Sequence, residues 1–250
     1  MSSGKEPVAI VGFHDGSAGQ VESWFERVTG LEIACFVIDS PSYSDIDIEK
    51  ENKRRVCKTT DFPQRGLFKG HPVIVSPNWI EKISSLGVKK VLCLEPVNRH
   101  RRKQIELVRN SKLQLVSAIH PSALILPNAR IGEGVWINAG CVIGYKAEIG
   151  SGSIINTGAQ IDHHNVLGEC CQVDPGVVTA GNVVLGECCH VHTGAVLINR
   201  VEVGADSIIG AGSVVLKNVP ARCTAVGVPA RIIRPADELS IEEDPAPTNS

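Results

Sequence analysis

The sequence predicts two joined parts, a small open α/β domain followed by a parallel β-solenoid. Up to about residue 118, short apolar runs alternate with amphipathic stretches. Beyond it an aliphatic residue recurs at every sixth position. The charge balance changes at the same place: residues 1–118 carry 18 Lys+Arg against 14 Asp+Glu, and residues 119–250 carry 7 against 13.

In the first part, Val8–Val11 reads as a strand ending at Gly12, and Gln20–Val28 has apolar residues at helical spacing. Glu32–Asp39 is the next strand. A polar loop is expected within 41–69. Pro72–Val75 is a third strand, with a helix from Asn78. Val91–Leu94 is a fourth, then a basic helix from Arg99 to Asn110, and Leu113–Ser117 is a fifth. Strands alternating with helices imply parallel βαβ units.

In the second part, the sixfold series from Ile119 to Val215 has 17 members, and all but Thr179 are aliphatic. Two places earlier stands a small residue such as Ala147, Ser153 or Cys171; just after comes Gly or Asn, expected to take the turn backbone that other residues resist. This is the hexapeptide β-helix signal: three short faces close an eighteen-residue coil, and about five coils fit between 119 and 216. An amphipathic helix would show a period of about 3.6 instead.

Composition limits the function classes. The chain of 250 residues is 43% hydrophobic and 21% charged, with net charge −2. That excludes a disordered chain, a collagen and a strongly basic nucleic-acid binder. No apolar run is long enough to span a membrane, and Met1–Gly12 has no secretory pattern. Nine cysteines, an odd number, argue against a disulfide framework and for a reducing, cytoplasmic setting.

Several segments occur in a telling order: Asn98-Arg99-His100-Arg101-Arg102, Ile119-His120-Pro121-Ser122-Ala123, Ile161–Gly168, Ala180-Gly181-Asn182 and Gly227–Arg231. With the hexapeptide pattern they resemble the left-handed β-helix acyltransferases. From about 7 to 235 the chain is similar to a narrower group, the bacterial sialic-acid O-acetyltransferase and nucleotide-linked amino-sugar N-acetyltransferase family. The resemblance implies a Rossmann-like nucleotide-sugar-binding domain at 1–118 and a left-handed β-helix acetyltransferase domain at 119–235. The tail 236–250 is acidic and expected to be disordered. The implied activity is acetyl-CoA-dependent N-acetylation of a nucleotide-linked amino sugar for polysaccharide biosynthesis, by a homotrimer with active sites at subunit interfaces. An O-acetyltransferase on a sialic-acid-like sugar and a non-catalytic trimeric sugar-nucleotide scaffold stay open as alternatives.

His163 stands two residues past Ile161, outside the inward column, so its ring should project from the prism; the resemblance implies that it is the general base. Gly181 lies one coil further, where its N–H could meet an oxyanion. The resemblance places Asn156 and Asn98 with the substrate, Thr193 and Ala211 along the pantetheine arm, and Lys217 or Arg231 near the CoA phosphates. Gly12 opens a loop to Gly19 that could admit phosphate near a helix N-terminus. Asp39 ends a strand where an acid commonly meets ribose.

The chain departs from the family pattern in three ways. His164 replaces the acid usual after the catalytic histidine, with Asp162 and Asp174 as candidate substitutes. Gln172 replaces a second histidine and joins the substrate-binding candidates, since it can hydrogen-bond a sugar but not shuttle protons. The Gly12–Gly19 loop is longer than usual. Arg99, Arg101, Arg102 and Lys103 read as a solvated helix face, or as a lure for a diphosphate; Lys53-Arg54-Arg55 reads as a solvated loop. No metal is expected. In the pairs Cys170-Cys171 and Cys188-Cys189, the first member should face out and the second in, so four sulfurs cannot converge. His190 and His192 invite comparison with the zinc histidines of trimeric β-helix carbonic anhydrases, but His163 and His190 should fall on different faces of one prism, so that only a subunit interface could restore such a geometry.

Overall fold

The computed structural model describes residues 5–12, 15–39 and 66–234, and of residues 15–18 and 234 the backbone only. Residues 40–65, with Lys53-Arg54-Arg55, and the tail 236–250 lie outside the described residues. The chain divides into two compact units. One comprises Met1–Pro96 with Lys103–His120, the other Val97–Arg102 with Pro121–Ser250.

The first unit is built on a six-stranded sheet. Its strands are β1 (Pro7–Val11), β2 (Glu32–Ile38), β3 (Leu67–Phe68), β4 (His71–Val75), β5 (Lys90–Cys93) and β6 (Gln114–Leu115), in the order β3-β4-β2-β1-β5-β6. All neighbours run parallel except β3 and β4. Central β1 is an unbroken apolar run because it has a neighbour on each edge; Val8, Ala9, Ile10 and Val11 are buried. The helix Asp15–Thr29 buries Val21, Trp24 and Phe25. It starts five residues before the expected Gln20, so most of the expected Gly12–Gly19 loop is helical backbone. Two glycines suggested a loop there; their propensity is a weak prior that packing overrides.

In the second unit, strands of two residues pair with strands eighteen positions on, as in Val142↔Gln160 and Gln160↔Val178, until the last coil, where Ile208 pairs with Thr224 sixteen positions on. From Trp136 the first face runs Trp136–Ile137, Ile154–Ile155, Gln172–Val173, His190–Val191, Ile208–Ile209 and Thr224–Val226. The second runs from Leu124–Ile125 to Val214–Val215, the third from Arg130–Ile131 to Glu202–Val203. The result is a parallel β-helix. Its sixfold column is buried from Ile137 to Val215, whereas Ile125 and Ile131 in the first coil are half-buried. The small column holds Cys141, Ala147, Ser153, Ala159, Cys171 and Cys189, all fully buried.

The turn chemistry corrects one expectation. The glycines just after the column are not the positive-φ residues. A Cβ on Gly144 would lie 2.5 Å from the carbonyl carbon of Asp162, and one on Gly150 would lie 2.4 Å from that of Gly168. They are glycines because the next coil leaves no room for a side chain. Positive φ falls two residues later, on Lys146, His164, Asn182 and Arg200 along one edge. Histidine and asparagine are among the non-glycine residues that tolerate this region best.

Candidate active site

The loop from Asp162 to Asn165 crosses the corner between the second and third faces. The Asp162 carboxylate accepts the His163 N–H at 2.7 Å, and Tyr145 O accepts the His164 N–H at 2.9 Å. The two rings meet: His163 Nδ1 and His164 Nδ1 are 3.1 Å apart, so one donates and the other accepts. The His163 ring lies over Gly181, where a Cβ would come within 2.3 Å of Cε1 and 2.5 Å of Nε2. Gly181 gives its carbonyl to Arg200 N–H at 3.1 Å, and its own N–H takes no partner among the described residues. A groove of about 400 Å³ runs along the second face past Asp162 and Ala180, the residues preceding this pair.

Two residues that the sequence reading did not select hold this loop. Asn165 occupies the small column and is fully buried. Its amide nitrogen donates to Asp162 O at 2.6 Å and Ala180 O at 3.0 Å, and its oxygen accepts from Val183 N–H at 3.1 Å. Thr179, the break in the aliphatic column, accepts the Asp162 N–H and donates to Gln160 O, both at 3.3 Å. The signal was present: each is a polar side chain in an otherwise apolar or small series.

The remaining candidates divide. Asp174 does not orient His163, because His190 Nε2 and His192 Nδ1 stand 3.0 and 3.1 Å from its Oδ2. Asn156 and Gln172 donate to its Oδ1 at 3.3 and 3.0 Å. Burial would raise the Asp174 pKa, but the hydrogen bonds from His190 and His192 outweigh it and hold the carboxyl well below its usual range. Lys217 is on the corner of His163 and Gly181, eighteen-residue steps beyond them, whereas Thr193 and Ala211 are exposed on a different corner. Arg231 is exposed, in the antiparallel strand closing the first face.

Asn98 and, within the otherwise solvent-facing basic run, Arg101 turn inward. Asn98 is buried and donates to Cys188 O and Cys189 O, each at 3.1 Å, so its amide nitrogen is spent on the solenoid. Arg101 is not on a solvated face: it is fully buried, donating to Gly152 O, Cys170 O and Asn98 Oδ1, each at 2.8 Å. Arg99 pairs with Asp206 and Arg102 with Glu187. Cys170 and Cys188 were expected to face out; both are buried at positive-φ turn positions, with the charges of Arg101 and Arg102 nearby. The eight described cysteines are all free and buried.

In the first unit, Gly12 has φ +86°, and a Cβ there would lie 2.3 Å from Glu95 N, so the glycine admits the chain after β5. Asp39 accepts a hydrogen bond from Gln104 at 3.0 Å. Gly12 closes β1 and Asp39 follows β2, so both stand at strand C-terminal ends.

A β-helix of hexapeptide coils that sets an imidazole over a glycine beside a groove is the architecture of a hexapeptide acyltransferase. The family model "Bacterial transferase hexapeptide (six repeats)" matches residues 128–163. GDP-perosamine N-acetyltransferase from Caulobacter crescentus, solved with CoA and GDP-perosamine as a variant with one histidine replaced by alanine, is 34% identical over 90% of this chain and 96% of its own, with TM-score 0.75. The acetyltransferase domain of PglB from Neisseria gonorrhoeae is 27% identical over 92% of this chain and 100% of its own, also at 0.75. WeeI from Acinetobacter baumannii shares the fold at 23% identity, over 91% of this chain and 100% of its own, with TM-score 0.74. No curated protein matches. The chain belongs to the hexapeptide acyltransferase family.

Proposed function

We propose that this protein moves the acetyl group of acetyl-CoA onto the amine of a nucleotide-linked amino sugar. The observation that carries the reading is the His163 ring packed on Gly181. In this reaction the amine nitrogen attacks the thioester carbonyl, a C–N bond forms, the C–S bond breaks and CoA leaves as thiolate. His163 takes the proton that the nitrogen sheds, using the nitrogen it does not share with His164. His164 does the orienting work usually given to an acid, holding one tautomer and one ring plane. The unpaired Gly181 N–H receives the charge that develops on the carbonyl oxygen. CoA supplies the activated acyl group; Lys217 on the same corner offers its phosphates a cation. The relatives solved with CoA and nucleotide sugar support this choice of substrates.

In the first unit the chain moves outward from β1 to β2 and β4, then returns to β5 on the other side. This is a topological switch point at β1, where Gly12 and the backbone of Glu95 meet. Ligands of open α/β sheets bind in such crevices, which supports a Rossmann-like nucleotide site there with Asp39 at its edge. We assign the solenoid a left-handed winding and the active protein a homotrimer. Val178 and Val196 on the second face and Val166 and Val184 on the third are 37–40% exposed. Such aliphatic ladders suit burial against another copy. Thr193 and Ala211, on another corner, would then face His163 of a neighbouring protomer.

The test is acetyl-CoA consumption with a panel of UDP-, GDP-, CDP- and dTDP-linked amino sugars. His163→Ala is expected to lower kcat at least about a hundredfold while nucleotide-sugar binding persists. A near-normal kcat removes His163 from the mechanism.

A further inference from the structure

The cluster on the first face is not used by the reaction proposed above. His190 and His192 are two apart, so both side chains leave the coil on the same side, and Asp174 comes from the coil before. Their ligand atoms, His190 Nε2, His192 Nδ1 and an Asp174 oxygen, all lie within 4.8 Å of one another. The two nitrogens stand 3.0 and 3.1 Å from the same Asp174 Oδ2. Two ligands of a tetrahedral zinc, each at about 2.0–2.1 Å, are roughly 3.3 Å apart. Two sides of the triangle are therefore already near ligand spacing, and the third is within 4.8 Å.

We propose that Asp174, His190 and His192 form a divalent transition-metal site, with zinc as the matching ion. Imidazole nitrogen and carboxylate oxygen are the donors such an ion takes. The surroundings fit. Gln172 and Asn156 both donate to Asp174 Oδ1, which turns Oδ2 toward the histidines and orients it as a ligand. Gln172 Oε1 is buried without a partner, an acceptor beside the cluster that a metal-bound water would satisfy. The side chains of His190 and Asp174 are 14% and 15% exposed and that of His192 39%, so the fourth position opens on the His192 side. Each ligand set joins two successive coils, and the ion would clip them together.

From the sequence, zinc comes up only through cysteines and histidines, His163 and His190 are set on different faces and no metal is expected; the donor not weighed there is an aspartate 16 residues before His190, brought alongside by the register of the coils.

The test uses full-length protein stripped by a chelator, then titrated with Zn²⁺ and, for spectroscopy, with Co²⁺. The expected result is one equivalent per chain, a thermal midpoint that rises with Zn²⁺, and a Co²⁺ spectrum without thiolate charge transfer. His192→Ala, at a half-exposed position, and the isosteric Asp174→Asn should each lower affinity at least about tenfold. His163→Ala should leave binding unchanged. Absence of stoichiometric binding, a thiolate spectrum, or undiminished affinity in His192→Ala and Asp174→Asn overturns the site. Since the readout is metal binding, it stands or falls apart from the acyl-transfer reading.

Discussion

At the scale of single residues, the exceptions to the repeat carry the information. Thr179 breaks the aliphatic column and Asn165 breaks the small one, and both hold the loop that presents His163. Real proteins violate their own patterning mainly at functional sites. Gly181 has the same logic in reverse. Its φ is not among the positive values, so its backbone accepts any residue, and the three atoms nearest to an added Cβ all belong to the His163 ring. Gly181→Ala is therefore expected to fold normally, to push the ring aside and to lower kcat about a hundredfold, the usual cost of displacing a catalytic group by about 1 Å. Steady-state kinetics beside a thermal melt check it; an unchanged kcat would show that the ring position does not matter. Spacing puts His163 outside the inward column and Gly181 one coil above it, and the family resemblance singles the pair out. Asn165 stands out as a polar break in the small column and Asp174 as a candidate acid, but what each holds depends on which carbonyls and rings the folded coils bring alongside.

At the scale of elements, the first turn of the helix Asn98–Arg109 matters most. Its sequence looks like a solvated basic patch, yet Arg101 is wholly inside and spends its guanidinium on main-chain oxygens of two coils, at Gly152 and at Cys170. Composition cannot distinguish these cases: four cations within five residues look alike until the carbonyl ribbon they face is known. Arg101→Met would leave several buried acceptors without donors, each costing about 1–3 kcal/mol. We expect a loss of about 3–5 kcal/mol in urea unfolding, against little change for Arg99→Ala, whose half-exposed pair with Asp206 is worth at most about 1 kcal/mol. The nearby thiols are affected by the same packing. Burial pushes Cys170 up to about 11 and Cys189 up to about 12, so neither is a ready nucleophile at neutral pH.

At the scale of the whole molecule, the β-helix was almost fully legible, because one rule repeated over the 17 members of its sixfold series leaves few other structures open. The first domain was legible as alternating strands and helices, but the start of its first helix was not, since glycines masked it. Within the solenoid, His163 and Gly181 share one corner while Thr193 and Ala211 share another. On our reading the active assembly must supply the second corner from a neighbouring copy. Val178→Glu combined with Val196→Glu, both on a partly exposed ladder, should then give monomers by light scattering and abolish turnover together. Full activity in a monomeric double variant would place the whole reaction within one chain.

The eighteen-residue register, which shortens to sixteen in the last coil at Ile208↔Thr224, also makes changes of length quantised. An insertion or deletion of one whole coil beyond Gly212 would leave the storeys beneath it in phase, with the His163 loop undisturbed. Losing only six residues there would swing every later side chain by one face of the triangle, although each strand kept its own hydrophobic grammar.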